Sequence, residues 1–107
     1  MTSKLGKAPA KYRLKFVPDA WHEWQELDGS IKQALKTLLA KRLQNPHVPG
    51  SLLHRELVCC YKIKLLKQGY RLVYMVEDDV LVVLVLSVGK REDNAAYRAA
   101  AKRKNSE

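Results

Sequence analysis

The run Val80-Leu-Val-Val-Leu-Val-Leu86 constrains the fold more than any other stretch. Every residue in it is Val or Leu, so no side chain can turn toward water. A strand without alternation has to be buried on both faces, which places it in the interior of a sheet. Glu77-Asp78-Asp79 just before it reads as a tight acidic turn. Upstream, Cys60-Tyr-Lys-Ile-Lys-Leu65 and Tyr70-Arg-Leu-Val-Tyr-Met-Val76 flank the connection Leu66-Lys-Gln-Gly69. Two runs of β-formers around a Gly-bearing turn predict an antiparallel hairpin. Strand alternation puts Tyr61, Ile63 and Leu65 on one face and Lys62 and Lys64 on the other, with Arg71 just beyond the turn. Ordinary solvated strand faces mix charge signs, since like charges on neighbouring positions repel. A cluster of Lys62, Lys64 and Arg71 with no carboxylate among them therefore suits a polyanion.

The remaining segments supply cover for such a sheet. Residues 1–10 read as a basic flexible tail, and Tyr12–Val17 alternates apolar and basic residues as a first strand. Pro18 stops that strand, and Asp19 is placed to cap a short helix. Trp21, Trp24 and Leu27 make its apolar stripe, with both Trp expected in the core. Ser30 with Gln33 has the pattern of a capping box for a second helix. Ile31, Leu35, Leu38, Leu39 and Leu43 share that helix's apolar face, and Asn45-Pro46 ends it. His22 reads as structural, and His47 and His54 as surface loop residues without a metal or catalytic partner. Ser87–Glu92 should leave the end of the apolar strand, and Asp93 or Asn94 should cap a last helix from Ala95 to about Lys102. The expected fold is α+β: a small, mainly antiparallel four-stranded sheet packed against an N-terminal helical hairpin, with a C-terminal helix. The sheet's other face, or its rim, is left to the cations.

A length of 107 residues suits one domain over 1–107. A net charge of +9 favours RNA, DNA or a strongly acidic protein as partner. Adjacent Cys59 and Cys60 make neither a disulfide framework nor a zinc site, and so read as reduced thiols. No signal-peptide stretch opens the chain, and the longest apolar run is too short for a membrane helix. A soluble cytoplasmic protein with no membrane partner is expected.

Cys60–Leu65, Gly69–Tyr74, Ser87–Glu92 and Tyr97 together, in this order and spacing, resemble the RelE family of toxins. These are ribosome-dependent messenger-RNA interferases of type II toxin–antitoxin modules. Phe16, Glu23-Trp24, Leu27 and Asn45-Pro46 extend the resemblance over roughly residues 12–103. The chain departs from the family before the hairpin, where Leu53-His54-Arg55-Glu56 retains only Arg55. The resemblance implies a RelE-like fold, a RelB-type antitoxin as partner, and cleavage of messenger RNA in the ribosomal A site. The RNA's own 2′-hydroxyl attacks the adjacent phosphate, leaving a 2′,3′-cyclic phosphate and a 5′-hydroxyl. No cofactor and no metal are expected.

By the same resemblance Lys64 is the candidate general base and Lys62 the neighbour that stabilises charge. Arg71 binds phosphate, Arg91 stands at the leaving oxygen, and Tyr97 stacks on or orients a nucleotide. Arg55, Lys90, Arg98 and Lys102 are the further candidates for RNA contact. Free lysine, with a pKa near ~10.4, is a poor base at neutral pH. Lys62 and Arg71 should push Lys64 down by destabilising its charged form. Arginine releases protons reluctantly, so Arg91 suits electrostatic stabilisation better than proton donation. Two other functions stay open: a ParE-like inhibitor of DNA gyrase, and an inactive toxin acting only in a repressor complex. ParE-like relatives generally lack the combined Lys-x-Lys, Arg and Tyr set.

Overall fold

The computed structural model describes residues 11–105; the basic tail expected over 1–10 lies outside them. Four strands form one sheet in the order β1-β4-β3-β2, with β1 Arg13–Phe16, β2 Cys60–Leu65, β3 Tyr70–Glu77 and β4 Val82–Lys90. β4 runs antiparallel to β3 and β3 to β2, while β1 pairs parallel to β4. The mainly antiparallel sheet foreseen from the sequence is present, with the apolar strand inside it. Val82 through Val88 are all buried.

Three helices cover the sheet: α1 Pro18–Gln25, α2 Gly29–Gln44 and α3 Ala95–Lys104. On α2, Ile31, Leu35 and Leu39 are buried, and Leu38 and Leu43 pack against the core, as the periodicity predicts. Arg42 on the same helix donates to the carbonyl of Lys62 and to the hydroxyl of Tyr74. That hydroxyl in turn donates to the carbonyl of Pro46. α2 therefore lies on the Tyr61–Tyr74 face of the hairpin.

The other face is not left open. α3 packs on it, and the Ser87 hydroxyl donates to the Ala96 carbonyl at 2.7 Å. Ala96 and Ala100 are buried there, small enough to let the helix backbone approach. A strand apolar on both faces needs cover on both, and that requirement confines the cations to one end of the sheet.

Several local expectations are corrected. β4 begins at Val82, because Val80 and Leu81 belong to the turn. Leu81 has φ 56° there, and its N–H reaches the Asp78 carbonyl at 3.3 Å. The strand then continues through Gly89 and Lys90, which pair with Arg71 and Tyr70. Trp24 is core, but Trp21 is 44% exposed, its ring edge-on to Phe16. A helix of two turns turns only a narrow stripe inward, and Ala20 with Trp24 fills it.

Asp19 and Ser30 lie inside their helices rather than at the N-cap, and Asn94 at the N-cap of the last helix forms no side-chain cap bond. Pro18 itself opens α1, where its missing N–H costs nothing. Gly29 opens α2, so Ser30 lies inside the first turn. α3 runs to Lys104, two residues beyond the expected end.

β1 is shorter than β4, so the β4 edge runs bare beyond Val85. Its backbone groups find side chains instead. Arg103 donates to the Leu86 carbonyl at 2.9 Å, and Glu23 accepts from the Val88 N–H at 3.1 Å. Glu23 and Arg103 are also joined to each other at 2.8 Å, with Asp19 3.8 Å from Arg103. This clamp ties α1, α3 and the exposed edge together, which satisfies buried backbone groups that a strand would otherwise pair.

Candidate functional site

The hairpin register sets Lys64 directly opposite Arg71, and Arg71 opposite Gly89. All three lie on the α3 face of the sheet, and Lys62 joins them two residues along β2. Gly69 closes the turn at φ +72°, a conformation that a side chain would strain. Its N–H donates to the Leu65 carbonyl, and its carbonyl accepts from the Arg91 N–H at 2.9 Å. The turn thus fixes Arg91 beside the hairpin tip immediately after β4. Lys64, Leu65, Leu66, Tyr70, Arg71 and Arg91 line a small cleft of about 90 Å³.

Arg71 is held from α3. Its guanidinium carbon lies 4.8 Å from the Tyr97 ring centroid, a cation–π distance. Its Nη1 donates to Asn94 Oδ1 at 2.8 Å. The sequence offers Asp93 or Asn94 as a cap and gives no sign of this contact, which spans 23 positions. None of the ion pairs among the side chains described involves Lys62, Lys64, Arg71 or Arg91. Lys62 is the main cause that lowers the Lys64 pKa from 10.5, with partial desolvation, Arg71 and Arg91 adding to it. The shift expected from neighbouring cations is therefore present in direction.

The cleft brings together Lys64, Arg71 and Arg91, with Lys62 and Tyr97 at its border. The other expected contact residues stand elsewhere. Lys90 follows Gly89 and so lies on the opposite face of β4. Arg55 is exposed in a short 3₁₀ turn, Arg55–Leu57, with φ 59°. Arg98 and Lys102 line a larger groove of about 660 Å³ with Val17, Pro18, Asp19 and Arg103. That groove carries the α1–α3 ion pairs rather than the cation cluster, so its greater volume does not make it the reactive site.

His47 has structural partners. It is the exposed loop residue expected, and it also lies 2.9 Å from Asp78 Oδ1 through Nε2 and 3.0 Å from Tyr61 Oη through Nδ1, contacts of which the sequence carries no sign. Tyr12 donates to the same Asp78 oxygen at 2.6 Å. This network fastens the loop after α2 to the β3–β4 turn. His54 is exposed, as is His22.

Buried Cys60 has its thiol pushed up to about 11, chiefly by desolvation, so the reactive thiolate is suppressed. Among the described residues no group of three or more His, Cys, Asp or Glu could hold a metal ion. None of their helices is long and apolar enough to cross a membrane.

Chemically, the cleft offers a phosphate-sized concentration of positive charge, a fork-shaped guanidinium, and an amine whose proton is loosened. An adjacent aromatic ring supplies a surface for a base.

The family described as the ParE toxin of the type II toxin–antitoxin system parDE matches residues 14–95. The mRNA interferase toxin RelE of Escherichia coli (strain K12) is 45% identical over 92 residues, 86% of this chain and 96% of that one. A double arginine-to-alanine variant of E. coli toxin RelE in the free state superposes with a TM-score of 0.79. It is 42% identical, over 87% of this chain and 97% of that one. RelE in the intact E. coli RelBE toxin–antitoxin complex superposes with a TM-score of 0.72. There the identity is 44%, over 76% of this chain and 98% of that one. Matches of this extent in sequence and fold show that the chain belongs to the RelE family of toxins, within the RelE/ParE superfamily.

Proposed function

We propose that this chain is the toxin of a type II toxin–antitoxin module and a ribosome-dependent endoribonuclease that inhibits translation by cutting messenger RNA in the A site. One observation carries the reading to these residues: Lys64, Arg71 and Arg91 converge on a single cleft with Tyr97 beside it. The family membership and the name mRNA interferase borne by its relative support the activity. The chain works as one domain in the cytoplasm.

In the proposed reaction the 2′ oxygen bonds to the adjacent phosphorus while the bond from phosphorus to the 5′ oxygen breaks. Neutral Lys64 takes the proton from the 2′-hydroxyl. Arg71 grips the phosphate with paired N–H donors, a geometry that a lysine cannot reproduce. Lys62 adds charge stabilisation, and Arg91 stabilises the developing charge on the 5′ oxygen, which takes its proton from water. Tyr97 stacks on a nucleotide. Arg55, Lys90, Arg98 and Lys102 contact the RNA or ribosome away from the reacting bond.

Among the side chains described no imidazole–carboxylate pair stands at the cleft, so alignment by the ribosome supplies rate that the side chains do not. The RelB-type antitoxin is the protein partner, favoured by the solved RelBE complex of the relative and by the net charge of +9.

Programmed ribosomes test the reading, with naked RNA as control. Wild type is expected to cut at A-site codons only, and Lys64→Ala and Arg91→Ala each to lose roughly a hundredfold or more in rate. Folded wild type that makes no cuts would move the assignment to the ParE-like reading, which the name of the matched family favours and which gyrase inhibition would then test.

A further inference from the structure

Asn94 occupies the N-cap of α3, where an Asn side chain ordinarily accepts a bond from the first helical amides. Here its backbone is left-handed, at φ 56°, and it forms no such bond. Asn adopts this conformation more readily than most residues that bear a side chain. The carbonyl it leaves uncommitted accepts the 2.8 Å hydrogen bond from Arg71 Nη1. The Tyr97 ring holds the same guanidinium from a second element position, 4.8 Å away. Of the five N–H donors on an arginine, one is thereby used and the rest stay available for a phosphate.

A long arginine side chain loses considerable rotamer freedom when it is fixed, and a partner that fixes it beforehand removes that loss from the reaction. A carboxylate would fix it too, but would also neutralise the charge that the phosphate needs. An amide oxygen fixes direction and leaves the full charge. We infer that Asn94 is a positioning residue that presets Arg71 for the phosphate and couples the start of α3 to the geometry of the cleft. The inference rests on the proposed function of that cleft.

Asn94→Gly keeps the left-handed backbone and removes the acceptor alone, so thermal stability is expected to stay close to wild type. On programmed ribosomes its kcat is expected to fall roughly ten- to a hundredfold with KM little changed, the cost of a misplaced catalytic group. In an Arg71→Ala background the same substitution is expected to cost nothing further, because a residue that acts only through Arg71 has nothing left to position. Wild-type cleavage by Asn94→Gly, or an undiminished loss in the Arg71→Ala background, would overturn the inference.

Wild type that fails to cut would sink the proposed function instead, and NMR of the intact chain then decides the positioning role. Resolved Arg71 Nη–H signals in wild type, with those of Asn94→Gly averaged and its affinity for inorganic phosphate several-fold weaker, would support it. Identical signals and phosphate affinity in both would refute it.

Discussion

Lys64 owes its loosened proton to company. Lys62 shares its strand face, and Arg71 and Arg91 stand across the same cleft. The general-base role proposed for Lys64 needs the neutral amine, so under that proposal the single-turnover cleavage rate should rise with pH and level off below 10.5, the ordinary lysine value. Lys62→Met removes the largest cause of the shift, raises the Lys64 pKa, and should move that acid limb to higher pH. A limb that stays in place would assign the titration to another group. Lys62, Lys64 and Arg71 were legible in the sequence because strand alternation and a Gly turn suffice to put them on one face. The Asn94 contact with Arg71 was not legible, since it depends on where α3 lands relative to β3.

At the scale of elements, the Glu23–Arg103 clamp replaces a missing stretch of β1 pairing. Glu23→Ala would leave the Val88 N–H without its acceptor and remove the nearer carboxylate from the Arg103 guanidinium, a loss of about 2 kcal/mol. Thermal unfolding should show it as a fall in Tm of roughly 10 °C. Glu23→Gln, which can still accept from Val88, should lose less. A change of a degree or less in Glu23→Ala would mean that water satisfies the edge.

The Tyr12–Asp78–His47 network acts similarly at the other end of the sheet. Tyr12 first, then His47, hold the Asp78 carboxyl below 3.8. A carboxyl depressed in the folded state stabilises above its unfolded value and loses that contribution as pH falls through the folded one. Asp78→Asn should therefore flatten the stability curve below about pH 4 in denaturant titrations. An unchanged acid arm would show the network to be without energetic weight. The hairpin, α2 and the central strand were readable from residue order, because period and turn chemistry are local. The start of β4 was not, because Val80 and Leu81 are as β-prone as their successors and only the closing of the Asp78–Leu81 turn removes them from the strand.

For the whole molecule, the net charge of +9 sets how it meets its partners. Association with ribosomes should weaken steeply with salt as counterions are released from RNA. A plot of log affinity against log salt should have a slope of several, and Arg71→Ala should reduce it by about one. A slope near zero would place recognition in apolar contacts instead.

Composition, periodicity and turn residues by themselves determined the α+β class, the strand interior to the sheet, the apolar face of α2 and the cationic face of the hairpin. All of these follow from interactions between residues near in sequence. Tertiary structure alone decided that α3 closes the second face, that His47 meets Asp78, that Arg103 caps a sheet edge, and that Arg91 lies beside Gly69. Each joins segments distant in the chain, and such contacts exist only once packing has fixed which surfaces meet.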